Sequence, residues 1–145
     1  MKLLPRLSLA LCALTALAHA AAVSWNDYPA LAQRIQAPKF PNRDFLITAY
    51  GAQDGADASA AIRQAIAACH AAGGGRVVVP AGTFTTGAIH LKSNVNLHLS
   101  AGATLRFSAN PADYLPVVFT RWEGTECMNY SPFIYAFEQE NIAVT

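Results

Sequence analysis

The chain has 145 residues, 53% of hydrophobic type and only 13% charged, with a mean hydropathy of +0.24. That balance is too apolar for a disordered chain, and no like-charge tract suggests a tail. Ten Lys and Arg against nine Asp and Glu leave a net charge of +1, so nothing global invites nucleic acid or an anionic membrane.

The first twenty residues carry much of the apolar excess. A short basic start, Met1 to Arg6, precedes an apolar or small run from Leu7 to Leu17, and Ala18-His19-Ala20 supplies a small-x-small cleavage pattern. The run is far shorter than the roughly 20 residues that span a bilayer. Residues 1–20 therefore read as a secretory signal, which puts the mature chain outside the cytoplasm, secreted or periplasmic. Cys12 does not mark a lipoprotein, because Leu11 precedes it where a small residue is needed. Cleavage removes Lys2 and Arg6 and leaves a near-neutral chain. Of the three cysteines, Cys69 and Cys127 remain. The compartment permits a bridge between them without requiring one, and neither has a histidine at zinc-ligand spacing.

Taken in chain order, a short helix is expected within residues 24–36, where Trp25, Tyr28, Leu31 and Ile35 recur at helical spacing and Pro29 falls in the first turn. Pro38 and Pro41 then force an extended connector to a strand at Phe45–Ile47. A second, clearer helix is expected over 57–72. Asp57 or Ser59 can cap it, Ile62, Ala65, Ile66 and Cys69 form one stripe, and Gly73 stops it.

Beyond Gly75 the pattern changes to short strands. The runs are Val77–Val79, Thr83–Thr85, Ala88–Leu91, Val95–Leu99, Thr104–Phe107, Phe133–Phe137 and Ile142–Val144. Alternation is strict in several, with Val95, Leu97 and Leu99 set against Asn96 and His98. Connections are short except between Ser108 and Pro132, which is read as a long loop without strands. A repeat is also visible. Asn94-Val-x-Leu97 recurs as Asn141-Ile-x-Val144, and the strands sort into sets of three. Val77 to Val95 is an advance of 18 residues, and Val95 to Ile142 one of 47 that falls to 22 without the 25-residue loop. Coils of about twenty residues with three short strands predict an all-β solenoid, a parallel β-helix, with the helix at 57–72 as its end cap. A β-sandwich is the rival. It is disfavoured because no Asn-Gly or Asp-Gly hairpin turn lies between Val77 and Thr145.

Few residues point to chemistry. Gly73-Gly74-Gly75 follows a helix and precedes a strand, the reverse of a phosphate loop. The histidines are scattered without metal spacing, and there is no nucleophile elbow and no adjacent carboxylate pair. The long loop differs, bringing Asp113, Tyr114, Arg121, Trp122, Glu123, Glu126 and Tyr130 together. Aromatic rings can stack on sugar faces and Arg can grip a carboxylate bidentately. A loop that merely packs on the flank, fixed by an Arg121–Glu123 or Arg121–Glu126 pair, is the equal alternative.

Thr83-Phe-Thr-Thr-Gly-Ala-Ile-His-Leu-Lys-Ser-Asn-Val-Asn-Leu-His-Leu99 followed by Ala101-Gly-Ala-Thr-Leu105 resembles the opening coils of glycoside hydrolase family 28, the polygalacturonases and their relatives. Thr48-Ala-Tyr-Gly-Ala52 with Asp54-Gly55, the Ala-rich helix and Gly73–Gly75 are similar to the family's lead-in. The stretch Ala112–Gly124 through Asn129-Tyr-Ser-Pro132 is similar to its bacterial branch. The resemblance implies a right-handed parallel β-helix and a metal-free, cofactor-free inverting hydrolysis of α-linked galacturonate in pectin by two carboxyl groups. It implies residues 21–44 as an N-terminal helix and linker, and 45–145 as cap and first coils. The family's Asn-Thr-Asp, Asp-Asp, Gly-His-Gly and Arg-Ile-Lys motifs do not occur here, so the catalytic residues are expected downstream of Thr145 and this chain is expected to be inactive alone. From the loop, Arg121 is expected to bind a galacturonate carboxylate, Trp122 to pack on a sugar face or buttress the loop, and Glu123 to hold a hydroxyl or orient Arg121. The expected partner is pectin or polygalacturonate, with no nucleic acid and, after cleavage, no membrane. A polysaccharide lyase relative, which would need an acidic cluster for calcium, and a non-catalytic β-helix adhesin are the alternatives.

Overall fold

A computed structural model describes residues 24–145, so the segment read as an export signal lies outside the described residues. The chain divides after Gln36 into two compact units. In the first, Ser24 opens a capping box. Its hydroxyl accepts from the Asn26 N–H, and its own N–H donates to the Asp27 carboxylate at 2.9 Å. A single 3₁₀ turn, Trp25–Asp27, leads into α1 (Tyr28–Arg34), where Pro29 occupies the first turn as expected.

The second unit holds β1 (Asp44–Leu46), α2 (Ser59–Ala71), β2 (Gly75–Val79), β3 (Gly82–Thr86), β4 (Ile89–His90), β5 (Val95–Leu99), β6 (Ala103–Phe107), β7 (Val118–Trp122), β8 (Thr125–Asn129), β9 (Ile134–Tyr135) and β10 (Ala143–Val144). The described chain is thus mostly strands with two short helices. Asp57 caps α2 from one residue before the N-cap, its Oδ1 accepting from both the N–H and the hydroxyl of Ser59. At the other end, the Gly73 N–H bonds to the His70 carbonyl and the Gly74 N–H to that of Cys69, the paired bonds of a Schellman stop. Ala61, Ile62, Ala65, Ile66 and Cys69 are all buried, as the stripe predicts, and α2 packs on β1, β2, β4 and β5. Both cysteines are free thiols. Cys69 is buried among α2's apolar neighbours, and burial pushes its pKa up.

The strands stack in parallel and recur in order. One sheet runs β1-β2-β5-β10, a second pairs β3 with β6, and a third pairs β4 with β9. Each circuit of three strands therefore lies on the one before it. The repeat is legible in the sequence but not its first register. Val77 sits opposite Leu97 rather than Val95, because β2 begins two residues earlier, at Gly75. The second advance stands, with Asn96 opposite Ala143. Val77, Val79, Phe84, Ile89, Val95 and Leu97 are buried in one core with the face of α2, while Leu99 packs against it partly buried.

The repeated asparagine has a structural cause. Gly74, Asn94 and Asn141 occupy the corresponding corner of successive rungs, with φ of +107°, +66° and +51°. A side chain that tolerates the left-handed region is needed at each. The Asn141 Nδ2 donates to the Asn94 Oδ1 at 3.0 Å, so the corner is also a hydrogen-bonded ladder. It cannot extend to position 74. A Cβ there would lie 2.5 Å from the Asn94 carbonyl oxygen, and only glycine admits that approach.

Candidate functional site

The long connection is not the unstructured loop that its sequence suggests. After a 3₁₀ turn at Pro111–Tyr114, β7 and β8 form an antiparallel hairpin with Trp122 opposite Thr125 and Phe119 opposite Met128. Its two-residue turn, Glu123-Gly124, has φ of +47° and +86°, the double left-handed geometry of a type I′ turn. Glutamate stands where Asn or Asp usually does, which is why turn chemistry gave no warning. The β-branched and aromatic content of Val118-Phe-Thr-Arg-Trp122 is the signal that could have found β7.

Aromatic side chains root this ribbon on the rungs. Phe133, just after β8, stacks on Phe107 at 4.6 Å and leans on the buried Tyr114, just before β7. The Ser131 N–H closes the root onto the Tyr114 carbonyl at 3.0 Å. Higher up, the Tyr135 hydroxyl donates to the Phe119 carbonyl at 2.8 Å, and Phe119 meets Phe137 edge-on at 5.5 Å. Tyr135 in turn lies against His90, whose Nε2 is 2.9 Å from the Ser131 hydroxyl. His90 reaches solvent as a residue, yet the partial burial of its ring pushes its pKa down, so it is neutral at neutral pH.

Between the ribbon and β9 lies an open hollow of about 460 Å³, walled by Phe119, Tyr135 and Phe137, with Arg121 and Glu126 along its side. The three residues expected in a sugar-binding wall separate here. Arg121 lines the hollow. Trp122, the next residue on the strand, points to the ribbon's other face and is 65% exposed. Glu123 sits in the turn, and the carboxylate beside Arg121 is instead Glu126, its partner across the ribbon, at 3.7 Å. Chemically the hollow offers aromatic walls, the Tyr135 hydroxyl and one guanidinium that can take a carboxylate, with the Glu126 carboxylate beside it. A larger hollow of about 660 Å³ lies between α2 and β4, but its carboxylates are engaged locally. Asp57 caps α2, and Asp113 accepts from the Asn110 amide. Among the described residues no three His, Cys, Asp or Glu side chains gather as a metal site, and no helix is long and apolar enough to cross a membrane.

No family model matches the chain. Individual proteins do. It is 53% identical over 70 residues to an exo-poly-alpha-D-galacturonosidase of Dickeya chrysanthemi, a match covering 47% of this chain and 11% of that protein. Its structure resembles a hyperthermoactive exopolygalacturonase from Thermotoga maritima with a TM-score of 0.78 and 41% identity, over 82% of this chain and 27% of that one. It also resembles a family 28 exopolygalacturonase of Yersinia enterocolitica, with a TM-score of 0.61 and 32% identity over 72% and 20% of the two chains. The chain thus spans about a quarter or less of the length of these three relatives. Over the part it spans, the chain is similar in sequence and fold to polygalacturonases of glycoside hydrolase family 28.

Proposed function

We propose that this chain forms the end cap and opening coils of a right-handed parallel β-helix in an exported, pectin-degrading glycoside hydrolase. Residues 1–20 serve as the export signal, 21–44 as an N-terminal helix and linker, and 45–145 as cap and first coils. The observation that carries the reading is the match to the Thermotoga exopolygalacturonase, which joins substantial identity to a shared fold over most of this chain. Three relatives named for exo cleavage of polygalacturonate favour removal of sugar units from a chain end. The acid and base that such hydrolysis requires are supplied by further coils of the same solenoid, since the family's aspartate motifs are absent from residues 1–145.

Within that enzyme the ribbon forms part of the wall of the sugar-binding cleft. Arg121 grips a galacturonate carboxylate from the side of the hollow. Trp122 packs on a sugar or buttresses the wall from the opposite face of the ribbon, and Glu123 reaches a hydroxyl from the turn.

Two measurements test the reading. The product of the complete reading frame should release monogalacturonate from polygalacturonate while the 145-residue chain alone releases none. Reducing sugar from the pure, monomeric short chain would overturn the placement of the catalytic carboxyls. In the complete enzyme, Arg121→Ala should lower kcat/KM on oligogalacturonides by about 2–3 kcal/mol, the worth of a charged bidentate contact, and spare an uncharged sugar analogue. Equal loss on both substrates with a falling Tm would make Arg121 structural.

A further inference from the structure

Two Arg–carboxylate pairs face each other across neighbouring strands of this molecule, and they are built differently. Arg76 and Asp44 are register partners on β2 and β1. They meet bidentately, with the Arg76 Nε 2.8 Å from Oδ1 and a terminal guanidinium nitrogen 2.8 Å from Oδ2. Arg121 and Glu126 are also register partners, on β7 and β8, yet they share one approach of 3.7 Å, beyond hydrogen-bond range. Their side chains are 68% and 63% exposed, and among the described residues the Arg121 guanidinium makes no hydrogen bond. Both flank the hollow beneath the ribbon. The first pair is closed; the second leaves five donors available.

We infer that Glu126 is an internal competitor for Arg121, a displaceable carboxylate that an ionised sugar acid replaces when it enters the hollow. This rests on the reading of the hollow as a uronate site and assigns Glu126 a role within it. An exposed pair held by one long contact is weak. A ligand carboxylate that presents two oxygens to the guanidinium fork makes a shorter and stronger contact, so exchange is favourable. A methyl ester or a neutral sugar carries no charge with which to displace Glu126 and leaves the pair as it stands. After exchange the Glu126 carboxylate remains beside the bound anion and opposes it. Glu126 therefore lowers affinity for free acids without affecting neutral sugars, the opposite of a residue that holds Arg121 ready.

The test is calorimetric titration of the full chain with digalacturonate, its dimethyl ester and galactobiose, at low salt and again at 0.5 M added salt, about a 4 Å screening length. Glu126→Gln should tighten digalacturonate by about two- to fivefold at low salt, the range of an exposed ion pair, with the gain shrinking in high salt. Binding of the ester and of galactobiose should not change. Arg121→Ala should weaken digalacturonate about tenfold or more. If Glu126→Gln leaves digalacturonate unchanged or weakens it while Arg121→Ala weakens it, Glu126 is not a competitor, although the hollow still binds uronate. If Arg121→Ala changes nothing, the uronate reading of the hollow fails, and the competitor with it.

Discussion

The stacked rungs and the β7–β8 ribbon are both made of short strands, and they obey different constraints. In the rungs every strand between β2 and β6 contributes to a shared core, and corners repeat in register down to the side-chain amide that links Asn94 to Asn141. In the ribbon, Phe119, Trp122 and Met128 are exposed, and the ribbon is held by its aromatic root and by the Tyr135 hydroxyl. Two strands alone make a marginal structure in water. The ribbon therefore owes its position to the rungs, while the rungs owe little to the ribbon. That asymmetry leaves the ribbon's outward side chains free for binding.

The sharpest way to break this comparison is to remove one phenylalanine from each region. Phe84 is 1% exposed in the core, and Phe84→Ala should destabilise the chain by about 3–5 kcal/mol. Phe119 is 41% exposed, and Phe119→Ala should cost about 1 kcal/mol or less, in keeping with its partial burial. Urea unfolding of the two variants decides between them. Equal losses would mean that the ribbon is part of the core rather than a passenger on it.

A finer test uses the asparagine corner. Asn141→Ala removes the Nδ2 bonds to the Asn94 Oδ1 and to the Lys39 carbonyl, and it places a Cβ residue at φ +51° without the local bonding that favours Asn there. The combined loss should be about 2 kcal/mol. Asn141→Gly loses the same bonds but takes the backbone angle freely, so it should cost about 1 kcal/mol. If the two variants melt together, the backbone angle is not what selects asparagine at this corner.

The rungs were legible because buried parallel strands leave two marks in a sequence, alternation and a repeat length. Asn94 and Asn141 added a third, since a left-handed corner restricts the residue type. The register of β2 against β5 was not legible, because Gly75 and Arg76 extend the strand without any apolar signal of their own. The ribbon escaped for a related reason. It buries neither face, so β7 and β8 carry no alternating core pattern, and Glu123-Gly124 makes a tight turn from an unusual residue. Arg121, singled out from the sequence for its charge, lines the hollow beneath the ribbon. The neighbours then divided by strand parity, which sends Trp122 to the far face and brings Glu126 alongside from the opposite strand. Sequence proximity stood in for spatial proximity, and in a hairpin the two differ.

The smallest expected effect separates the two ion pairs by pH. Hydrogen bonds from Arg76 hold the Asp44 carboxyl below the usual carboxylate range, opposed by slight desolvation and helped by the charges of Arg76 and His98. A carboxyl whose pKa is lower folded than unfolded stabilises the fold above its unfolded value, about 3.9, and loses that contribution as pH falls through the folded value. Wild type should therefore melt slightly above Asp44→Asn from pH 5 to 7, and the two should converge as pH drops below about 4. The gap stays small because both side chains are about 40% exposed and solvent screens them, and added salt should shrink it further. Glu126→Gln, in contrast, should leave the Tm unchanged across the same range, since its loose pair lies on the ribbon and contributes nothing to the rungs. An Asp44→Asn deficit that persists undiminished at pH 2 would show that the side chain's shape, and not its charge, matters between β1 and β2.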